Sequence, residues 1–164
     1  MRVGVEGAAG SEAMVTSGNE AVEIEFRSAD EKDFDYCTKL YFAGIEPIIQ
    51  RLKLDRAAQV ADFRRRWEPR GVQIITRNGI DVGWFQTTTS RDAIFLAQIF
   101  LEPSAQNQGI GTEVMHRLID TAMRAGKAVA LEVVKSNPAR RLYERLGFRI
   151  TSDDDRKFHM RLDP

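Results

Sequence analysis

Residues 99–119 read IFLEPSAQNQGIGTEVMHRLI, and three kinds of sequence follow one another within them. Ile99, Phe100 and Leu101 close an apolar run that begins at Ala93, a composition that suits a buried strand. Pro103 stops the run, and "QNQGIGT", Gln106 to Thr112, is glycine-rich and free of acidic residues. Val114, Met115, Leu118, Ile119 and Ala122 then recur at helical spacing, and the stripe stops near Gly126. The middle of the chain is therefore strand, glycine loop, helix.

Upstream, "VEIEFR" (Val22 to Arg27) alternates like a half-buried strand, and "SADEKDF" supplies acidic residues suited to a helix first turn. That helix is expected to run to about Gly44, with Pro47 breaking the pattern inside "AGIEPIIQRL". A second helical stripe runs through Ala57, Val60, Phe63 and Trp67 and ends at Pro69 and Gly71. "VQIIT", "DVGWFQTTT" and "AIFLAQIFL" form a meander whose first turn carries the Asn78-Gly79 hairpin signal. Downstream come the strand "AVALEVV", the short helix "NPARRLYERLG" and the hairpin "FRITS"/"KFHMRL" across "DDDR". The order βααβββαβαββ predicts an α+β sandwich in which helices cover a mixed, mostly antiparallel sheet.

A chain of 164 residues, 43% hydrophobic and 29% charged, suits one domain. Residues 1–20, rich in Gly, Ala and Ser, read as a disordered extension, and residues 21–164 as the domain. Lys plus Arg equal Asp plus Glu at 24 each, so net charge gives no reason to expect a nucleic-acid or membrane partner. The start lacks an apolar core fit for a signal peptide or span, and the protein is expected in the cytoplasm. The lone Cys37 shares a helical face with Phe34 and Tyr41 and reads as a buried thiol. His116 and His159 fall on polar faces, and no metal cluster is expected.

A glycine loop before a helix either turns the chain or holds an anion on unpaired backbone N–H groups. A P-loop reading fails, since "GIGTEV" lacks the lysine. A dinucleotide fingerprint is weak, since Val114 stands where the third glycine belongs and Glu132 lies in mid-strand.

The stretch instead resembles the acyl-CoA loop of the GNAT N-acetyltransferase superfamily, [QR]-x-x-G-x-[GA] after an apolar-x-Pro strand end. Gln106, Gly109 and Gly111 match it, as does "LEP" (Leu101 to Pro103), and "NPARRLYERLGF" (Asn137 to Phe148) resembles the family's second element. The resemblance implies a GNAT-like α/β/α sandwich that uses acetyl-CoA and no metal. It implies that the amides of Gln108, Gly109, Ile110, Gly111 and Thr112, in the motif opened by Gln106, cradle the pyrophosphate. The pantetheine arm would pair with the backbone of Ile99, Phe100 and Leu101, with the Leu101 amide stabilising the oxyanion.

Tyr143 stands where the family's phenol protonates the departing thiolate, and its alternative is packing beside Leu142 and Leu146. Asn137 stands where the family bonds the pantetheine, and it also suits a helix N-cap, although many members carry one more residue between this Asn and the Tyr. Arg140 and Arg141 could reach coenzyme phosphates or sit on a solvated face. Glu132 resembles the strand glutamate that acts as base in some members, and a water chain is the alternative. The amine acceptor, a small molecule or a peptide, would meet Gln98 and the helical block of Tyr41, Glu46 and Gln50. Homodimers are common in the family. Two rivals remain: a non-catalytic acyl-CoA-binding regulatory module, against which Tyr143 argues, and an enzyme using the loop for NAD or ATP.

Overall fold

The coordinates, a computed structural model, describe residues 23–164. The expected extension, residues 1–20, lies outside the described residues. The elements are β1 (Glu25–Ser28), α1 (Phe34–Leu52), α2 (Arg56–Arg66), β2 (Val72–Arg77), β3 (Ile80–Thr89), β4 (Ala93–Leu101), α3 (Ile110–Arg124), β5 (Ala128–Val134), α4 (Ala139–Arg145), β6 (Arg149–Asp153) and β7 (Lys157–Leu162). Their order is the expected βααβββαβαββ. They build one seven-stranded sheet in the order β1-β2-β3-β4-β5-β7-β6. Every neighbouring pair is antiparallel except β4 and β5, which run parallel with α3 as the crossover between them.

Each face of the sheet carries its own core. On one face Ile110, Val114, Met115 and Leu118 of α3 and Ala139 and Tyr143 of α4 pack on Ile94, Leu96, Ile99, Leu101, Leu131 and Val133. On the other, Cys37, Leu40, Phe42, Ile45 and Ile49 of α1 and Phe63 of α2 pack on Val72, Ile74, Trp84 and Phe100. The even-numbered Ile94 and Leu96 share a face with the odd-numbered Ile99 and Leu101, which a regular strand forbids. A β-bulge resolves this: Gln86 opposes Gln98 and Thr87 opposes Leu96, so Ala97 is the extra residue that resets the phase.

The expected helix break at Pro47 does not occur. α1 runs unbroken from Phe34 to Leu52 with Pro47 inside it. Pro47 and Ala43 both lie on the exposed side, so the Ala43 carbonyl that loses its partner faces water. The buried stripe from Cys37 to Ile49 holds the helix on the sheet through the proline. The helix ends instead at Lys53, whose left-handed φ of 50° turns the chain, and the Asp55 carboxylate accepts from Ala57 N (2.9 Å) to start α2.

Candidate functional site

β4 and β5 pair only from Ala93 to Leu96 and from Ala128 to Leu131. Beyond that level β4 continues to Leu101 and β5 to Val134 without a bond between them, and β5 stays paired on its other side with β7. The two parallel strands thus open into a cleft. In an antiparallel ladder alternate residues turn their N–H and C=O to the same neighbour. Glu102 N donates to Val82 O of the β3 side (2.9 Å), so Phe100 also turns its main chain toward β3, while Ile99 and Leu101 turn theirs toward the cleft. Of the three residues expected to offer backbone groups to a ligand, Ile99 and Leu101 have that direction and Phe100 does not. Phe100 is committed to the α1/α2 core, with its ring 5.1 Å from Trp84 and 5.6 Å from Tyr41. Gly83 permits this fit, because a Cβ there would lie 2.5 Å from Phe100 O.

The loop after β4 is braced by its own glutamines. Gln106 Nε2 donates to Leu101 O (3.1 Å), Gln108 Nε2 donates to Ser104 O (2.6 Å), and Gln108 Oε1 accepts from Arg77. The Gln106 and Gln108 side chains therefore shape the loop, and what these two residues can present to a ligand is main chain. Asn107 (φ 58°) and Gly109 (φ 76°) are left-handed and fold the chain into the start of α3. No side chain caps α3, so its first-turn N–H groups, at Ile110, Gly111 and Thr112, form an anion-accepting end. Ile110 is fully buried and anchors that turn. A Cβ on Gly111 would meet only Leu101 Cδ1, at 3.9 Å. Packing within the chain therefore does not require glycine at 111, and the missing side chain leaves room for a close ligand.

Tyr143 lies in the same core cluster as Ile99, Leu101 and Val133 and is 1% exposed. Its ring meets Phe148 edge-on at 5.8 Å, yet its hydroxyl has no hydrogen-bond partner. A buried hydroxyl without a partner is uncommon in native proteins. Burial pushes the phenol pKa upward, so Tyr143 carries its proton throughout the neutral range. Asn137 Oδ1 accepts from Ala139 N (2.9 Å) and so performs the capping role, which seats α4 and with it Tyr143. Arg140 Nε donates to Glu144 (2.7 Å) and its guanidinium lies 4.7 Å from the centre of the Phe158 ring. Arg140 and Arg141 also border a recess of about 490 Å³ with Lys135 and Asn137.

On the α1/α2 face, two polar side chains stand where the strands part. Glu132 follows the last paired residue of β5, and Gln98 follows the bulge of β4. Leu131 and Ile99 point to the α3 side, so Glu132 and Gln98, each next in sequence, point to the opposite one. Glu132 is quarter-exposed; it accepts from Lys157 Nζ (2.6 Å) and lies 3.5 Å from His159 Nδ1. His159, expected on a polar face, also reaches this carboxylate because β5 and β7 pair Glu132 with it directly. Gln98 Nε2 donates to Gln86 Oε1 (3.0 Å), while Gln98 Oε1 is buried without a partner.

Gln98, Gln86 and Trp84 border a cavity closed by Tyr41, Phe63 and Trp67 of the helical block. Of the three acceptor-side residues expected there, only Tyr41 lines it. Glu46 and Gln50 bond each other (3.2 Å), and Glu46 pairs with Arg56, on the outer surface of α1 and α2. Trp67 and Trp84 escaped sequence reading because one passes as a helix stripe and the other as a strand core residue. Among the described residues no group of three His, Cys, Asp or Glu is placed to hold a metal, and no helix is long and apolar enough to cross a membrane.

Comparison with known proteins places this geometry. The family model for the acetyltransferase (GNAT) family matches residues 40–148. The chain is 34% identical over 113 residues to the human (Homo sapiens) Cysteine-rich protein 2-binding protein, an alignment covering 69% of this chain and 12% of that protein. It is 38% identical over 56 residues to the L-methionine sulfoximine/L-methionine sulfone acetyltransferase of Salmonella typhimurium, covering 33% of each. The matched part thus spans far less than two thirds of either curated relative. Among solved structures, PaiA N-acetyltransferase from Thermoplasma acidophilum in complex with coenzyme A superposes with a TM-score of 0.66 at 13% identity, covering 87% of this chain and 99% of that one. The ribosomal-protein-S18-alanine N-acetyltransferase from Escherichia coli gives 0.64 at 24% identity, covering 86% and 94%. At these identities the likeness shows the fold.

Proposed function

We propose that this chain, which belongs to the acetyltransferase (GNAT) family, moves the acetyl group of acetyl-CoA to a primary amine by direct attack in the cleft between β4 and β5. As a member it is an acyltransferase; the acceptor, a small molecule or a peptide, and the residue roles are our reading. The observation that carries it is the parting of the two strands beyond Leu96 and Leu131, with chemically distinct groups on either face. The residues fit a coenzyme: α3 offers uncapped amides to a pyrophosphate, Ile99 and Leu101 turn main chain to the cleft, and the Tyr143 hydroxyl lacks a partner. Acetyl-CoA supplies the thioester.

In this reading the neutral amine enters from the α1/α2 face, and its nitrogen attacks the acetyl carbon. The Leu101 N–H stabilises the negative charge that develops on the carbonyl oxygen. As the C–N bond forms and the C–S bond breaks, the nitrogen's extra proton passes to Glu132, directly or through water, and the Tyr143 phenol gives its proton to the thiolate. A proton from solvent then restores Tyr143. The products are the acetamide and the free thiol. The setting we propose is the cytoplasm.

Thiol release from acetyl-CoA, measured across a panel of amines, tests the reading. Turnover with at least one amine is expected. Tight coenzyme binding without turnover for any amine would make the chain a binding module, and thermal stabilisation by NAD or ATP but not by coenzyme A would sink the reading altogether.

A further inference from the structure

The loop between β4 and α3, residues 103–109, holds no charged side chain, yet it is the segment that meets a pyrophosphate if the chain uses coenzyme A. Its own hydrogen bonds are local: Ala105 N donates to Glu102 O, Gln106 Nε2 to Leu101 O and Gln108 Nε2 to Ser104 O. Among the described residues, a single hydrogen bond reaches the loop from a distant part of the chain. Arg77, the last residue of β2, donates it from Nη1 to Gln108 Oε1.

Arg77 stands on a short, stiff stem. It pairs with Ile80 across the β2–β3 hairpin, whose two turn residues, Asn78 (φ 53°) and Gly79 (φ 75°), are both left-handed. The same hairpin holds the entrance to the loop, because Gly83 of β3 pairs with Leu101 and Glu102 N donates to Val82 O (2.9 Å). One rigid hairpin thus grips both ends of the loop, the entrance through main chain and the exit through Arg77. The Gln108 side chain is held at both of its polar atoms, the oxygen by Arg77 and the nitrogen by Ser104 O. Gln108 directly precedes Gly109, whose left-handed turn (φ 76°) sets the direction of the uncapped Ile110, Gly111 and Thr112 amides.

We infer that Arg77 is a positioning residue for the coenzyme: acting through Gln108, it holds the loop exit in the shape that aims the first α3 amides at the pyrophosphate. The inference rests on the reading that this loop takes coenzyme A. An exposed contact of this kind adds little to global stability. Its effect falls on binding, since a loop already fixed in its bound shape loses less conformational freedom when the ligand arrives.

Coenzyme A affinity measured by calorimetry, with thermal melting alongside, tests this. Arg77→Met keeps an unbranched stem without a donor, and should weaken coenzyme A about fivefold with the melting temperature unchanged. Arg77→Lys, which keeps a donor and the charge, should stay within about twofold of the wild type. Gln108→Ala should match the loss in Arg77→Met, and the double variant should be no weaker than either single one, because all three break the same link. Where an amine supports turnover, the KM for acetyl-CoA should rise in Arg77→Met with kcat within about twofold. Unaltered coenzyme A affinity in Arg77→Met overturns the inference, as do additive losses in the double variant. A loss in Arg77→Met with full affinity in Gln108→Ala also overturns it, since the charge alone would then account for the effect. A wild-type chain that binds no coenzyme A removes the functional reading itself, whereas equal binding by wild type and Arg77→Met removes this inference alone.

Discussion

Tyr143 combines near-complete burial with an unpartnered hydroxyl, and removing that oxygen alone separates the proposed catalytic role from packing. Tyr143→Phe keeps the ring against Phe148 and removes only the orphaned oxygen. Steady-state kinetics should show kcat down by about 10²-fold with little change in coenzyme affinity, and thermal melting should be unchanged or raised. Unaltered kcat would reduce the residue to a core aromatic. Glu132 poses a similar question at the other face, since Lys157 and His159 both reach it. Glu132→Gln should lower turnover about tenfold or more if the carboxylate takes the amine's proton. Its stability cost should stay below about 1 kcal/mol, because the ion pair is partly exposed and screened. Retained turnover would assign the proton to water. Sequence alone put Tyr143 and Glu132 on a helix and a strand, but the missing partner of the one and the Lys157 and His159 contacts of the other arise from residues far apart in the chain.

At the scale of elements, the β4 bulge and the α1 proline are two local irregularities that the fold absorbs. Ala97 is spent on the bulge so that Ile99 and Leu101 keep their side chains in the α3 core while Gln98 turns to the opposite face. The near-uniform apolar run "AIFLAQIFL" hides that phase change, since periodicity is legible only where polar residues alternate. Gly83→Ala would drive a Cβ to 2.5 Å from Phe100 O and 2.7 Å from Leu101 Cδ2. Chemical denaturation should show a loss of about 1–3 kcal/mol, and coenzyme affinity should fall because β4 must shift. Pro47→Ala restores an N–H to the interior of α1 at an exposed position. It should stabilise the protein by about 1–3 kcal/mol in the same assay, with turnover preserved. A loss of stability would mean that the helix needs the proline.

Across the whole molecule, burial rather than pairing governs the alkaline limit. Desolvation pushes the Cys37 thiol up to about 12 and raises the phenols of Tyr36, Tyr41 and Tyr143. An unfolded chain releases these protons near about 8.5 for cysteine and 10 for tyrosine, while the folded chain retains them. The folded state therefore binds more protons over that interval, and stability is full below about pH 8.5 and falls as pH rises above it. Melting temperatures between pH 7.5 and 10.5 should decline, with a shallower slope in Cys37→Ala. By itself the sequence determined the order of elements, the strand–glycine loop–helix unit and the family motif, because each depends on residues a few positions apart, through periodicity, turn chemistry and backbone freedom. It misplaced the end of α1, because a proline's local cost yields to a buried stripe that only the sheet completes. The tertiary structure alone decided which backbone groups face the cleft, that Glu132 meets Lys157 and His159, and that Trp67 and Trp84 close one cavity with Gln98. Those facts depend on strand register and on packing between segments distant in sequence, which no local pattern encodes.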